Sequence, residues 1–379
     1  MEFAWTAEQE DYRERVKSAL DELLPANWFT KYAPQGYGSD DQIDFSREFC
    51  PKLAERGLLV PHWPAEHGGD DREPWDQFIL AEEVTAAGEP RGPQYMNVNW
   101  IGPTLMKFGT PEQQAKHLGP ISRGEVIWCQ GYSEPGAGTD LAALKTKAER
   151  VGDKYVVNGS KIWTSYSRKA DWCFLLARTG QERKAISIFL VPMSTPGIKV
   201  TSFPGLVQNG HLNEVFFTDV EVPVENRVGE ESMAWPIITH ALSFERVGVP
   251  RYFHGLELMN VAAELLKREG RFNDPIVRSR AAKVVAKFEA AKWLTYLVVD
   301  QRAKQSPPTA DGNIARISAA EAVCDLMNFC MDYLPDILLE GDAMLADFYR
   351  ANISGTIAAG TYEIQLNLIA QNALGLPRT

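Results

Sequence analysis

Two short segments carry the residue types from which a ligand-binding face is built. Gly131-Tyr132-Ser133-Glu134-Pro135-Gly136-Ala137-Gly138-Thr139-Asp140 packs three glycines and a proline into ten residues. A backbone of that composition can approach a flat or phosphorylated ligand closely, and Ser133 and Thr139 add hydroxyl donors. It also suits a plain turn between two domains. The second segment, Asn158-Gly159-Ser160-Lys161-Ile162-Trp163-Thr164-Ser165, ends in an aromatic followed by two hydroxyls. Taken alone, Trp163 serves equally well as the core aromatic of a hairpin. The six histidines show no His-x-x-x-His or Cys/His spacing, so a metal site finds little support. Five cysteines without a Cys-x-x-Cys pair point to free buried thiols rather than a disulfide frame.

The elements that must position these groups change character along the chain. Thr6 and Gln9 form a capping box, after which Tyr12, Val16, Leu20 and Leu23 recur at helical spacing. Thr110-Pro111-Glu112-Gln113 repeats the device with proline at the first helical position. Between them Pro61, Pro64, Gly68 and Gly69 mark a long turn, and 75–87 reads as a helix. Asn158-Gly159 between Tyr155-Val156-Val157 and Lys161-Ile162-Trp163 predicts a hairpin with a type I′ turn. Further β-type runs follow at 172–178, 185–191, 197–202 and 214–222. Helical periodicity then returns: Val284, Phe288, Ala291, Leu294 and Val298 form one stripe, and Gln305-Ser306-Pro307-Pro308 separates helices. The expectation is a mainly α chain with a β insert: a helical domain over 1–125, a β domain over 126–234 and a helical bundle over 235–379. Alternating βαβ units are absent from the pattern, which weighs against a Rossmann fold.

Composition narrows the function. The chain has 379 residues, 45% hydrophobic and 23% charged, with a formal net charge of −11. A duplex nucleic acid needs a basic face and is an improbable partner. No apolar run approaches the roughly 20 residues that span a bilayer, and the first residues lack the pattern of a signal peptide, so a cytoplasmic protein is expected.

Taken together, the two segments resemble the acyl-CoA dehydrogenase family, with its Thr-Glu-Pro-x-Ala-Gly-Ser-Asp and Asn-Gly-x-Lys-x-Trp-Ile-Thr patterns. The resemblance extends over nearly the whole chain. Its other marks are Pro64 to Gly69, Gly109-Thr110-Pro111-Glu112-Gln113, Asp219-Val220-Glu221-Val222-Pro223 and Gly360-Thr361-Tyr362-Glu363-Ile364-Gln365. It implies an N-terminal helical domain, a middle β-barrel-like domain and a C-terminal four-helix bundle. It also implies FAD as cofactor, an acyl-CoA substrate and an electron-transfer flavoprotein as acceptor. By the same resemblance, Gln130, Ser133, Trp163, Thr164, Ser165 and Thr361 serve the flavin, while Thr139, Arg246 and Ala359 serve the thioester.

Two departures from the family pattern matter. Many members carry their catalytic base as the Glu of Glu-Gly-Thr near the C-terminus, and here that position is Ala359. Other members place the glutamate before an arginine on the first helix of the bundle, which makes Glu245 the candidate base. Ala359 keeps its backbone N–H, one of the donors the family aims at the thioester oxygen. A small residue there leaves room for a branched or bulky acyl group, a steroid side chain among them. The second departure is Arg268-Glu269-Gly270-Arg271-Phe272-Asn273 and Met331 to Asp336, where homotetrameric members carry Arg-x-x-Phe-Gly and a glycine-rich stretch that reach a neighbour's flavin. These changes suggest an α2β2 assembly with a paralogous subunit, a homotetramer being the other option. Rival readings are a non-catalytic partner subunit, which Ala359 favours, and a flavin oxidase or monooxygenase on the same fold.

Overall fold

The computed structural model describes residues 4–33, 38–206, 212–245, 250–306, 309–340, 345–346, 349–350, 353, 357–358 and 360–377. By its internal packing the chain divides into two compact units. One comprises Met1–Glu14, Glu73–Ala86 and Glu245–Thr379, the other Arg15–Arg72 and Ala87–Phe244.

The first helix, α1 (Ala7–Leu23), starts at the expected capping box: Gln9 N–H donates to Thr6 Oγ1 at 3.2 Å and Thr6 N–H to Gln9 Oε1 at 3.0 Å. In the second unit, α2 (Asp40–Glu55) is capped by Ser39, whose hydroxyl accepts from Gln42 N–H. A continuous helical stretch follows: α4 (Gln94–Met96), a π turn (Asn97–Ile101) and α5 (Gly102–Phe108). The helix α6 (Pro111–Ser122) carries the second capping box, with both reciprocal bonds from Thr110 and Gln113 present. Gln113 then reaches Glu225 O and Arg227 O at 2.7 and 2.9 Å, tying this helix to the edge of the β layer. At the 61–69 turn the chain folds back so tightly that a Cβ on Gly69 would lie 2.0 Å from Trp63 O.

The β layer of this unit is one eight-stranded sheet. Its strands are β1 (Trp128–Gly131), β2 (Lys147–Val151), β3 (Lys154–Lys161), β4 (Trp172–Arg178), β5 (Ile186–Pro192), β6 (Ile198–Phe203), β7 (Leu212–Pro223) and β8 (Arg227–Val228). They run in the order β6-β7-β3-β2-β4-β5-β8, with β1 parallel to β4. Alternate residues point into one core: Tyr155 and Val157 from β3, Val215, Phe217, Val220 and Val222 from β7, and Cys173, Leu175 and Ala177 from β4. β4 and β5 are buried almost continuously, as strands covered on both faces are.

The hairpin turn expected at Asn158-Gly159 is not formed. The hairpin formed instead joins β2 to β3 through Gly152-Asp153, and β3 runs on through Asn158-Gly159 as a bulge against β7. Asn158 is bonded to Asp219 in both directions, at 3.0 and 2.9 Å, and Asp219 has a φ of 48°, so the inward alternation of β7 slips at the same point. A Cβ on Gly159 would sit 2.5 Å from Thr146 Oγ1. The glycine therefore serves close approach of the chain just before β2, not a reversal.

His117 of α6 is wedged edge-on against Trp128 and Trp172, which stack on each other with centroids 5.5 Å apart. Burial, with Lys116 beside it, pushes the imidazole down to about 4. The folded state therefore holds it neutral while the unfolded chain takes a proton near 6.5. Between those values the unfolded state binds more protons, so stability falls as pH is lowered through the window, by roughly 3 kcal/mol in full. Urea unfolding between pH 7 and pH 4.5 measures this, and His117→Phe is expected to flatten that part of the profile.

In the other unit, α3 (Pro74–Ala86) packs with α8 (Arg251–Arg268) and α9 (Pro275–Ala303), followed by α10 (Asp311–Tyr333), α11 (Pro335–Glu340) and α12 (Tyr362–Asn372). Val284, Phe288, Ala291 and Val298 of the expected stripe are buried, and Leu294 is partly buried beside Val298 and Ala315. Their 3- and 4-residue spacing puts them on one side of α9. A carboxylate enters this core: Glu82 of α3 accepts from Tyr252 Oη at 2.5 Å, Tyr296 Oη at 2.8 Å and Arg13 Nη2 at 3.0 Å.

Candidate active site

Strand β1 delivers the glycine-rich segment. Gly131 leaves the sheet where a Cβ would touch Leu175 Cδ1 and Cys173 Sγ at 2.9 and 3.0 Å. Beyond it, Glu134 and Ala137 pair with each other across Pro135-Gly136, closing a tight loop. Glu134 is turned inward. Its Oε1 accepts from Thr146 N–H and Lys161 Nζ at 2.8 Å each, and its Oε2 from Lys145 N–H at 2.6 Å. Lys161 is fully buried and also donates to Tyr132 O at 3.0 Å. Burial holds the Lys161 ammonium below the usual lysine range, with Glu134 pulling the other way. Burial alone would raise Glu134, but Lys161 and the donors from Thr146 and Lys145 outweigh it and leave its carboxyl low.

The second segment is brought alongside by Ile162 N–H, which donates to Ser133 O at 2.9 Å. Past Lys161 the strand ends and the chain turns sharply, with Trp163 at a φ of 60° and Tyr166 at 69°. Left-handed backbone in such bulky residues costs about 1–3 kcal/mol each and persists only where neighbours enforce it. The enforcing residue is the buried Asn213 of β7: Thr164 N–H donates to Asn213 O at 3.1 Å, and Asn213 Nδ2 donates to Thr164 O at 3.2 Å. Ser202 Oγ bonds Asn213 Oδ1 at 2.7 Å and orients the amide. The result is a Trp163 ring that stays 55% exposed, touching Phe203 edge-on at a centroid distance of 5.5 Å.

The fit to a flat, polar-edged cofactor can be judged from these residues. A large exposed aromatic is held in an unfavourable conformation, with half-buried Ser165 two residues on and half-buried Ser133 brought alongside through its carbonyl bond from Ile162 N–H. Cβ atoms at Gly136 and Gly138 would meet nothing within 4 Å, so these glycines are not demanded by the chain's own packing. Thr164 Oγ1 is buried and has no hydrogen-bond partner among the described residues. The residues present fit a flavin ring. Gln130 lies half-buried on β1 opposite Phe174, and Thr139 is exposed at the loop end, next to an Asp140–Arg183 ion pair.

The other sequence-derived candidates belong to different parts of the chain. Thr361 caps α12, its hydroxyl accepting from Ile364 N–H at 3.4 Å. Glu245 closes α7 (Ala234–Glu245), and its side chain is outside the described set. Arg246 and Ala359 also lie outside the described residues. Sequence reasoning missed Asn213 entirely and passed over Glu134 and Lys161, whose only signal was a carboxylate and an ammonium within the two motifs.

The order of helical, β and helical segments and a face suited to a flat cofactor are those of a flavin-dependent acyl-CoA dehydrogenase, the class that comparison with known proteins shows. Three family models match in succession: acyl-CoA dehydrogenase, N-terminal domain, over residues 6–125, the middle domain over 129–220 and the C-terminal domain over 235–374. The chain belongs to the acyl-CoA dehydrogenase family. Among its relatives, acyl-CoA dehydrogenase IpdE1 of Mycobacterium tuberculosis is 34% identical over 384 residues, covering 97% of this chain and 98% of the relative. The solved Tcur3481-Tcur3483 steroid ACAD superposes with a TM-score of 0.90 at 31% identity over 100% of both chains. The ChsE4-ChsE5 complex from Mycobacterium tuberculosis gives 0.85 at 32% identity, again over 100% of both. Among the described residues no helix is long and apolar enough to cross a membrane.

Proposed function

We propose that this chain is the base-bearing subunit of a cytoplasmic, FAD-containing acyl-CoA dehydrogenase that desaturates the α,β bond of a branched or bulky acyl-CoA, steroid side chains included. The observation that carries the reading is the Ser133/Trp163/Ser165 face, with its exposed indole enforced by Asn213. FAD, when bound, supplies the acceptor for the β-hydride and passes electrons on to an electron-transfer flavoprotein. The chain's own residues do the rest. Ser133 and Ser165 hold the ring edge, Trp163 with Gln130, Thr164 and Thr361 shape its surroundings, and Thr139 and Arg246 hold the thioester. The Ala359 N–H polarises the thioester carbonyl, which acidifies the α-proton, and Glu245 removes it. Steroid-related names among the relatives support the bulky acyl group.

A heteromer with a paralogue is part of the same reading, supported by the two-protein complexes among the similar structures. In the 268–273 stretch both arginines are out of step with the Arg-x-x-Phe spacing, and Arg271 donates to Tyr333 O at 2.5 Å and pairs with Glu269 at 3.4 Å within its own chain. The test is anaerobic mixing of the purified complex with a panel of CoA thioesters. Bleaching of the flavin's visible band by bulky thioesters, more than by straight short chains, is expected. No bleaching across the panel overturns the proposal, and full FAD occupancy in the chain purified alone overturns the heteromer.

A further inference from the structure

The Glu134–Lys161 pair is unusual in being placed where charge is costly. Lys161 is wholly buried and Glu134 is 8% exposed, and bringing such ions out of water costs several kcal/mol each. A pair of methyl-rich side chains would hold the sheet end together at less expense. What apolar groups cannot supply is direction. The carboxylate collects donors from three positions at once, Lys145 N–H, Thr146 N–H and Lys161 Nζ. The ammonium collects two acceptors, that carboxylate and Tyr132 O. Both ends of the Tyr132-Ser133-Glu134 stretch are thereby fixed, and Ile162 N–H fixes its centre through Ser133 O.

Lys161 lies two residues before Trp163, and Ser133 is next to Glu134. We propose that the buried Glu134–Lys161 pair is a positioning device: it sets the mutual register of the Ser133 and Trp163 segments and so the fit of the flavin ring they share. The pair touches no flavin itself. It acts by holding the two segments that do, as the supporting shell of a binding site does. This inference rests on the proposed flavin face and extends it to two residues whose charges are hidden inside the sheet.

The test compares the parent complex with Lys161→Met, Glu134→Gln and the double variant Glu134→Leu/Lys161→Met. The readings are FAD affinity of the apoprotein, visible circular dichroism of bound FAD and the thermal midpoint. In the double variant both ions and their desolvation cost disappear together, so the midpoint of the apoprotein is expected within about 5 °C of the parent. FAD affinity is nevertheless expected to fall about tenfold to a hundredfold, the range seen when supporting contacts are removed, with an altered visible dichroism. Glu134→Gln, which still offers an acceptor to Lys161, is expected to lose less affinity than Lys161→Met. Parental affinity and dichroism in the double variant overturn the inference. Should that variant not fold, the same readings on Glu134→Gln decide, and parental values there overturn it. A parent complex that takes up no flavin overturns the functional proposal and this inference with it, whereas a flavin-binding parent matched by its double variant overturns this inference alone.

Discussion

Glu245→Gln is expected to lower the rate of anaerobic flavin bleaching by roughly 10²- to 10⁴-fold, the span attributable to a positioned general base. The amide has nearly the shape of the carboxylate but cannot take up the α-proton at neutral pH. FAD content and thioester affinity are expected to stay near parental values, because the substitution leaves segments 131–140 and 158–165, proposed to hold the flavin, untouched. Stopped-flow absorbance with a saturating thioester measures the rate, and equilibrium titration measures the binding. Parental bleaching rates would falsify Glu245 as the base and favour a subunit that only supports a paralogue's site. Under the proposed function, Glu245, the last residue of α7, takes the place of a carboxylate at 359.

The largest effect on stability is expected at Glu82. Its carboxylate is the shared acceptor for Tyr252, Tyr296 and Arg13, and all three donors lie on other segments of the same unit. Burial and this carboxylate push both phenols above their usual range, so they remain protonated and able to donate. Glu82→Ala leaves the two buried hydroxyls only each other as partners and weakens the hold on Arg13, which keeps Glu83. Removing one partner from a buried charged network typically costs about 3–5 kcal/mol, equivalent for a chain of 379 residues to a fall in Tm of roughly 4–6 °C. Scanning calorimetry of the apoprotein measures it. Glu82→Gln is expected to lose less, since its amide oxygen still accepts, and equal losses in the two variants would refute the account.

Legibility in the sequence followed how local the causes were. Both capping boxes formed as read, because a Thr hydroxyl and a Gln three residues on satisfy each other without help from distant segments. The buried stripe of α9 was legible because helical geometry alone brings residues three and four apart to one face. Asn158-Gly159 was misread for the opposite reason. The pair is compatible with a turn or a bulge, and the choice was made by Asp219 and Thr146, both remote in the sequence. Asn213 gave no signal at all, since an asparagine in a strand is informative only once the Trp163 turn is folded against it.

For the flavin face, the sequence by itself determined the residue types and their order: glycines and hydroxyls in 131–140, an aromatic between polar groups in 158–165, and a glutamate at 245 in place of one at 359. Those are properties of the chain that no packing can alter. Tertiary structure alone decided which groups became neighbours and which conformations were tolerated. A strained Trp163 requires Asn213 and Ser202 from other strands, and a buried Lys161 requires Glu134 and Tyr132 O at hydrogen-bond distance. Both are unfavourable for an isolated segment. They exist because contacts across the sheet outweigh the local cost, and contacts of that kind leave no mark in the spacing of residues along the chain.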